Sequence, residues 1–274
     1  MDSTYELVIE PRKGWQAVDF HELWEYRELL GYLVWRDIKI RYKQTLLGGL
    51  WAVLQPLIGM LVFGVLFSRV AKMPSNGVPY PLFVFAGLTI WTFFQNGVGL
   101  SANSFIENKE MIRKIYFPRI LVPFGQIAAM GFDLMIGLVF LFLLVFYYHW
   151  HLSARLLWLP VFVFGSCLAT AGLGFVLSAL NVRYRDIRYA LPFFTQMLLF
   201  ITPVLYPINY VPAKLKFLLS INPMAGMVEG FRYSILGGPL SWSLVGISFA
   251  TAVVLFVIGV FFIRRMETTF ADVI

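Results

Sequence analysis

Long intervals without a charged residue alternate along this chain with short charged connectors. Nothing charged falls between Lys43 and Arg69, and about 20 mostly apolar residues cross a bilayer core. Leu46 to Phe67 is therefore the first predicted span. Phe83 to Ser101, Ile120 to Tyr148, Leu156 to Leu180, Ala190 to Pro207 and Leu244 to Ile263 follow. The pattern predicts an all-α polytopic membrane protein with six transmembrane helices. Residues 1–45 precede them, 46–263 form the membrane domain and 264–274 a tail.

Three connecting stretches carry patterns of their own. In Phe20 to Leu46, Leu23, Tyr26, Leu30, Leu33, Val34, Ile38 and Tyr42 recur at helical spacing, while Arg36, Lys39 and Lys43 share another face. This predicts an interfacial amphipathic helix, apolar side toward acyl chains and basic side toward head groups. The same pattern also suits a solvated helix packed on a soluble partner. Asp37 and Arg41 stand four apart and can pair. Between spans two and three, Ser104 and Glu107 have the spacing of a capping box, and Pro118 stops a helix. Glu110 and Lys114 form a second four-residue pair, and Met111, Ile112 and Ile115 a short apolar stripe. A charged helix hung between two spans suits a docked motor, and also an ordinary connector. Residues 202–239 hold five prolines, with Phe217 to Ile221 and Met224 to Val228 too short to cross. Broken apolar segments are tolerated at membrane depth only inside protein or along a watery cavity, so external re-entrant half-helices are expected, with Glu229 and Arg232 able to pair. A plain amphipathic surface loop is the alternative.

Composition narrows the class. Hydrophobic residues make up 59% and charged residues 14%, against roughly 25% charged in soluble domains. The net charge of +7 would suit a nucleic-acid partner, but its placement argues otherwise: sixteen Lys and Arg lie on the side of the termini and six on the other. The positive-inside rule then puts both termini in the cytoplasm. Trp150, Trp158 and Trp242 fall near the outer interface. The first 45 residues lack an apolar core followed by a small-residue cleavage site, so no removable signal peptide is expected. The single Cys167 excludes a disulfide framework and a cysteine metal cluster.

The chemistry is sparse. No Gly-Lys dipeptide occurs, so the phosphate-cradling loop of nucleotide-binding motors is absent and no catalytic residue is assigned. His149 and His151 stand two apart and would point to different faces of a helix, which disfavours metal ligation. Asp133, the one acid deep in a span, is either functional or structurally paired. An ion-coupled carrier would carry several buried ionisable groups, which these spans lack. They hold aromatics instead, among them Trp51, Phe67, Phe94, Phe200 and Tyr206. Flat rings can stack on the C–H faces of sugars, whereas a membrane phenylalanine otherwise packs or faces lipid. In span four, Gly165, Ala169 and Gly172, with Ser166, Thr170 and Gly174 beside them, would let helix backbones approach closely.

Ile38 to Pro56 (IKIRYKQTLLGGLWAVLQP), Glu107 to Pro123 (ENKEMIRKIYFPRILVP) and Asn181 to Gly238 carry a resemblance to a known family. In the last run the likeness lies in Arg185-Asp186-Ile187, Thr202-Pro203-Val204-Leu205-Tyr206-Pro207, Val211-Pro212, Asn222-Pro223-Met224 and Phe231-Arg232. From about Tyr32 to Arg265 the chain resembles the permease subunit of type-2 ABC exporters of surface polysaccharides. One departure is Thr202, where many relatives have Ser.

That resemblance implies a homodimer of six-span subunits with two separate ATPase subunits beneath it. ATP and Mg would bind those partners, with no cofactor in this chain. The cargo would be a lipid-linked O-antigen, capsule or teichoic-acid polymer moved outward across the bacterial plasma membrane. The ATPase-docking helix would be 104–118, with Ser104, Glu107, Glu110, Met111, Arg113 and Lys114 as contacts. The external gate would be 212–238, with Pro212, Asn222, Pro223, Glu229 and Arg232. A lipid diphosphate suits arginine forks, and Arg36, Arg183, Arg185 and Arg188 are the candidates at the inner interface. The conduit would be lined by Trp51, Phe67, Phe94, Phe200 and Tyr206. A type-2 exporter of drugs or lipids would share the fold and motor, and an ATP-independent channel or carrier would need no motor.

Overall fold

The computed structural model describes residues 20–43, 45, 47–70, 75 and 77–273. Residues 1–19 of the N-terminal segment, and Lys72, lie outside them. The described residues form helices and no strands: α1 (Phe20–Glu25), α2 (Arg27–Tyr42), α3 (Trp51–Phe63), α4 (Tyr80–Glu107), α5 (Lys109–Lys114), α6 (Leu121–Tyr147), α7 (Leu159–Arg183), α8 (Ile187–Ile201), α9 (Ala213–Ser220), α10 (Pro223–Leu236) and α11 (Trp242–Val273).

Among the described residues, five segments are long and apolar enough to cross a membrane: Gly48–Phe67, Tyr80–Glu107, Leu121–Tyr147, Ala154–Arg183 and Trp242–Met266. The chain is therefore a multi-pass membrane protein. The fifth span expected from sequence behaves differently. Helix α8 has 15 residues, about 22 Å at 1.5 Å per residue, short of the roughly 30 Å hydrocarbon core. Thr202 leaves helical geometry at ψ 140°, and Pro203 and Pro207 keep the chain that follows from resuming it. At the other end of the chain, α11 continues through most of the stretch expected to be a tail.

Helix α4 is the hub. Of its 18-residue apolar window, 78% is buried, against 17% for the segment containing α3. Its 28 residues exceed the expected second span at both ends, because Pro79 and Pro81 start it early and Asn108 closes it late. Small residues set its packing and that of α7. A Cβ on Gly97 would stand 2.6 Å from Thr170 of α7, and one on Gly174 would stand 2.6 Å from Ser101 of α4. The small-residue stripe of span four therefore packs within the chain. Its Gly172 goes further: a Cβ there would stand 2.5 Å from the Phe256 backbone nitrogen, and one on Gly259 of α11 would stand 2.6 Å from the Gly172 carbonyl. The backbones of α7 and α11 touch directly.

Candidate functional site

Two polar assemblies stand at opposite ends of the bundle. At the α5 end, α2 does not turn its predicted apolar face to the outside. Leu33 is 1% exposed and packs on Gly125 of α6, while Trp24, Tyr32, Trp35 and Ile40 are exposed. The expected Asp37–Arg41 pair is absent, because packing on α6 supplies each charge with a distant partner. Asp37 is buried and accepts from Arg36 Nε and Nη2 at 2.9 and 2.7 Å and from Gln126 Nε2 at 2.8 Å. Arg36 Nη2 also donates to Asn108 Oδ1 at 2.8 Å. One turn on, Arg41 Nη1 donates to Asp133 Oδ2 at 2.8 Å, and the Tyr42 hydroxyl donates to Asp133 Oδ1. Burial, and then the hydrogen bond to this carboxylate, push the Tyr42 phenol up, which keeps it a neutral donor. Asp133 is thus structurally paired.

Asn108 is the joint between α4 and α5. Its Nδ2 donates to the Ser104 carbonyl at 2.9 Å, and its backbone carbonyl accepts from Met111 and Ile112. The capping box expected at Ser104 and Glu107 does not form, since both residues belong to the last turns of α4, where Ser104 is fully buried. The expected helix 104–118 is therefore a short one, Lys109–Lys114, with Ile112 buried beneath it. Glu107, Glu110, Arg113 and Lys114 are exposed and Met111 is half-buried. Ser104 cannot meet a partner at this surface.

At the opposite end, the stretch after α8 is held from several sides. Arg232 of α10, 3% exposed, lies over the Phe83 ring at 3.9 Å, donates through Nη2 to the Val204 carbonyl, and faces Glu229 at 3.5 Å. Glu229 Oε1 accepts the Ile208 amide at 3.0 Å, Tyr80 donates to the Leu205 carbonyl at 2.8 Å, and Asn222 Nδ2 donates to Thr202 Oγ1 at 2.8 Å. Asn222 also caps α10 by accepting from Met224 N at 3.0 Å, with Pro223 in the first turn. Gly237, at φ +77°, ends the helix in a conformation that L side chains rarely adopt. Almost all of α10 is buried, so this broken segment is packed in protein rather than laid over the surface. By contrast Pro212 is exposed, as are Leu215, Phe217 and Leu218 on α9.

The five rings expected to share one lining do not come together. Phe94 is 2% exposed and packs on Trp91 at 5.2 Å between ring centres, because α4 is the central helix. Phe67 and Phe200 gather on Phe63, at 6.1 and 6.5 Å. The Tyr206 hydroxyl donates back to the Phe200 and Ile201 carbonyls, closing the end of α8. Trp51, half exposed, stands apart on the wall of a cavity of about 460 Å³ between α3, α4 and α6. Arg36 is committed to Asp37 and Asn108, whereas Arg183, Arg185 and Arg188 are exposed around the turn from α7 to α8. Among the described residues no group of three His, Cys, Asp or Glu could hold a metal ion.

Sequence reasoning missed Tyr80, Phe83, Gly87 and Gln126. The one available signal was Gly87 between bulky neighbours, since a Cβ there would stand 2.4 Å from Arg232 Nη2 and 2.7 Å from the Val204 carbonyl.

Comparison with known proteins adds the following. The family model of ABC-2 type transporters matches residues 28–236. The chain is 27% identical over 248 residues to an O-antigen export system permease protein, RfbA, of Klebsiella pneumoniae, covering 90% of this chain and 95% of that protein. It is 30% identical over 213 residues to RfbA of Myxococcus xanthus, covering 77% and 81%. Against the polysialic acid transport protein KpsM of Escherichia coli it is 24% identical over 244 residues, covering 85% and 91%.

Proposed function

The chain belongs to the ABC-2 type transporter family, and from that premise we propose that it is the membrane-spanning subunit of an ATP-driven exporter of a lipid-linked polysaccharide. The observation that carries this reading is similarity to O-antigen export permeases over nearly their whole length. ATP and Mg bind a separate ATPase subunit, and two such subunits serve a homodimer of this chain in the bacterial plasma membrane, both termini in the cytoplasm.

The geometry suits that division of labour. Helix α5 projects charged side chains from the end of the bundle that the positive-inside rule puts in the cytoplasm, and it docks the ATPase through Glu110, Arg113, Lys114 and Met111. The latch of Arg36, Asp37, Asn108 and Gln126 ties α2 and α6 to the joint at the start of α5, so a push on α5 reaches the spans. Arg183, Arg185 and Arg188 receive the lipid diphosphate. The segment 212–238 is the external gate, hinged on Asn222 and braced by Glu229 and Arg232. Trp51, Phe67, Phe200 and Tyr206 border the conduit, and α8 with the stretch after it completes a sixth crossing.

The test has two arms. Removal of this chain should leave the polymer inside the cell, and its return should restore surface glycan. Cysteines at Glu110 or Lys114 should cross-link to the ATPase in the assembled complex. Undiminished surface glycan without the chain refutes the cargo; failure of every exposed α5 position to cross-link refutes the docking surface.

A further inference from the structure

Helix α4 carries a polar stripe in the middle of an apolar bundle. Thr89, Thr92, Asn96 and Asn103 fall within about 60° of one another at 3.6 residues per turn. All four line the cavity of about 460 Å³, with Gln55 of α3 and the Trp51 ring on the facing wall. Asn96 Nδ2 donates to Gln55 Oε1 at 3.2 Å. A carboxamide offers two donors and two acceptor positions, so this bond leaves the Gln55 NH2 and the Asn96 carbonyl for whatever fills the space. Gln55 is exposed and Asn96 half-buried. Such groups cannot face acyl chains without cost, because lipid offers no hydrogen bonds.

The cleft is also electrically neutral. The charges that border it, Arg41 and Asp133, already neutralise each other at 2.8 Å, and Tyr42 donates to the same carboxylate. An ion therefore finds no uncompensated counter-charge. What remains is a set of amide and hydroxyl groups beside a flat ring that is 53% exposed. The volume is within the range of roughly 300–1,000 Å³ typical of small-ligand clefts.

We propose that this cleft between α3, α4 and α6 is a glycosyl-binding subsite, in which Gln55, Thr92 and Asn96 hydrogen-bond the hydroxyls of a neutral sugar unit while Trp51 stacks on its C–H face. The proposal rests on the polysaccharide-export reading for the identity of the cargo. Its physical core is a neutral, carboxamide-lined cleft along α4 that shares only Trp51 with the aromatics expected from sequence.

The experiment uses the complete transporter. In a Cys167→Ala background, single cysteines replace Gln55, Thr92 and Asn96, with Met135→Cys and Val139→Cys as controls on the exposed apolar side of α6. A hydrophilic thiol reagent should label the first three at least ten-fold faster than the controls. Separately, the pair Gln55→Leu and Asn96→Leu, which keeps the spans apolar, should lower surface glycan at least ten-fold per folded complex, while Met135→Leu on the exposed apolar side of α6 stays within about two-fold of the parent. Equal labelling of cleft and control positions means a dry cleft and overturns the proposal. Fast labelling with undiminished export by the Leu pair means that water enters but sugar is not held there, which overturns it too. A parent complex that moves no glycan, with the three cysteines still labelled, overturns the cargo reading and the sugar assignment while leaving a hydrated cleft on the map.

Discussion

Replacing Glu229 by Gln isolates the contribution of one buried ion pair. Arg232 is 3% exposed and Glu229 12% by side chain, so neither charge has water to fall back on. Breaking a buried pair by removing one partner costs about 3–5 kcal/mol, because the other charge is left uncompensated. Arg232→Met removes the same pair and also leaves the Val204 carbonyl without its donor, about 1–3 kcal/mol more. The double variant has no stranded charge and should lose only that second part. The three variants thus form a cycle whose coupling energy should be about 6–10 kcal/mol in magnitude, because each single variant strands one charge and the double variant strands neither. At about 2–4 °C per kcal/mol, Glu229→Gln should lower the apparent melting temperature of the purified complex by roughly 6–20 °C, and the double variant should recover about half of it. Losses that simply add would show that Val204 and Phe83 alone hold Arg232 and that the ion pair contributes nothing.

Gly87→Ala places a methyl 2.4 Å from Arg232 Nη2 and 2.7 Å from the Val204 carbonyl, and should destabilise by about 1–3 kcal/mol in a melting assay. Gly131→Ala, with nothing within 4 Å, should be neutral in the same assay. Asp37→Asn strips the counter-charge from Arg36, whose side chain keeps 25% exposure; a loss of about 1–3 kcal/mol is expected, together with fewer polymers exported per ATP hydrolysed. An unchanged ratio would disconnect the latch from coupling. Met111→Pro should break α5, at about 3 kcal/mol in helix propensity, and leave ATP hydrolysis running without export.

Much of the architecture could be read from the chain, because charge-free length maps directly onto helices in a bilayer. Leu46 to Phe67, Ile120 to Tyr148 and Leu156 to Leu180 all coincide closely with helical spans. Glu229 and Arg232 were legible because their spacing is local. The latch at the α5 end was not, since Arg36 and Asn108 are 72 residues apart and Asp37 and Gln126 are 89 apart. Local spacing offered Arg41 to Asp37 instead, and only the packing of α2 on α6 decides between the two. Ser104 and Glu107 failed for a related reason: their spacing fits the first turn of one helix and the last turns of another equally well. The sidedness of a ring such as Phe94 is set by which helix sits at the centre, and aromatic content carries no trace of that.

The direct backbone contact of α7 with α11 at Gly172 and Gly259 has a mechanical consequence. Where the two glycines meet no side chain lies between the helices, and the Phe175 and Phe256 rings pack across the same interface at 6.0 Å, so lengthwise sliding is opposed. They form a single beam through the thickness of the protein. Helix α10 packs on both of them. Relative movement is left to the segment containing α3, only 17% of which is buried. The bundle is in this sense a stiff strut with one loosely attached wall.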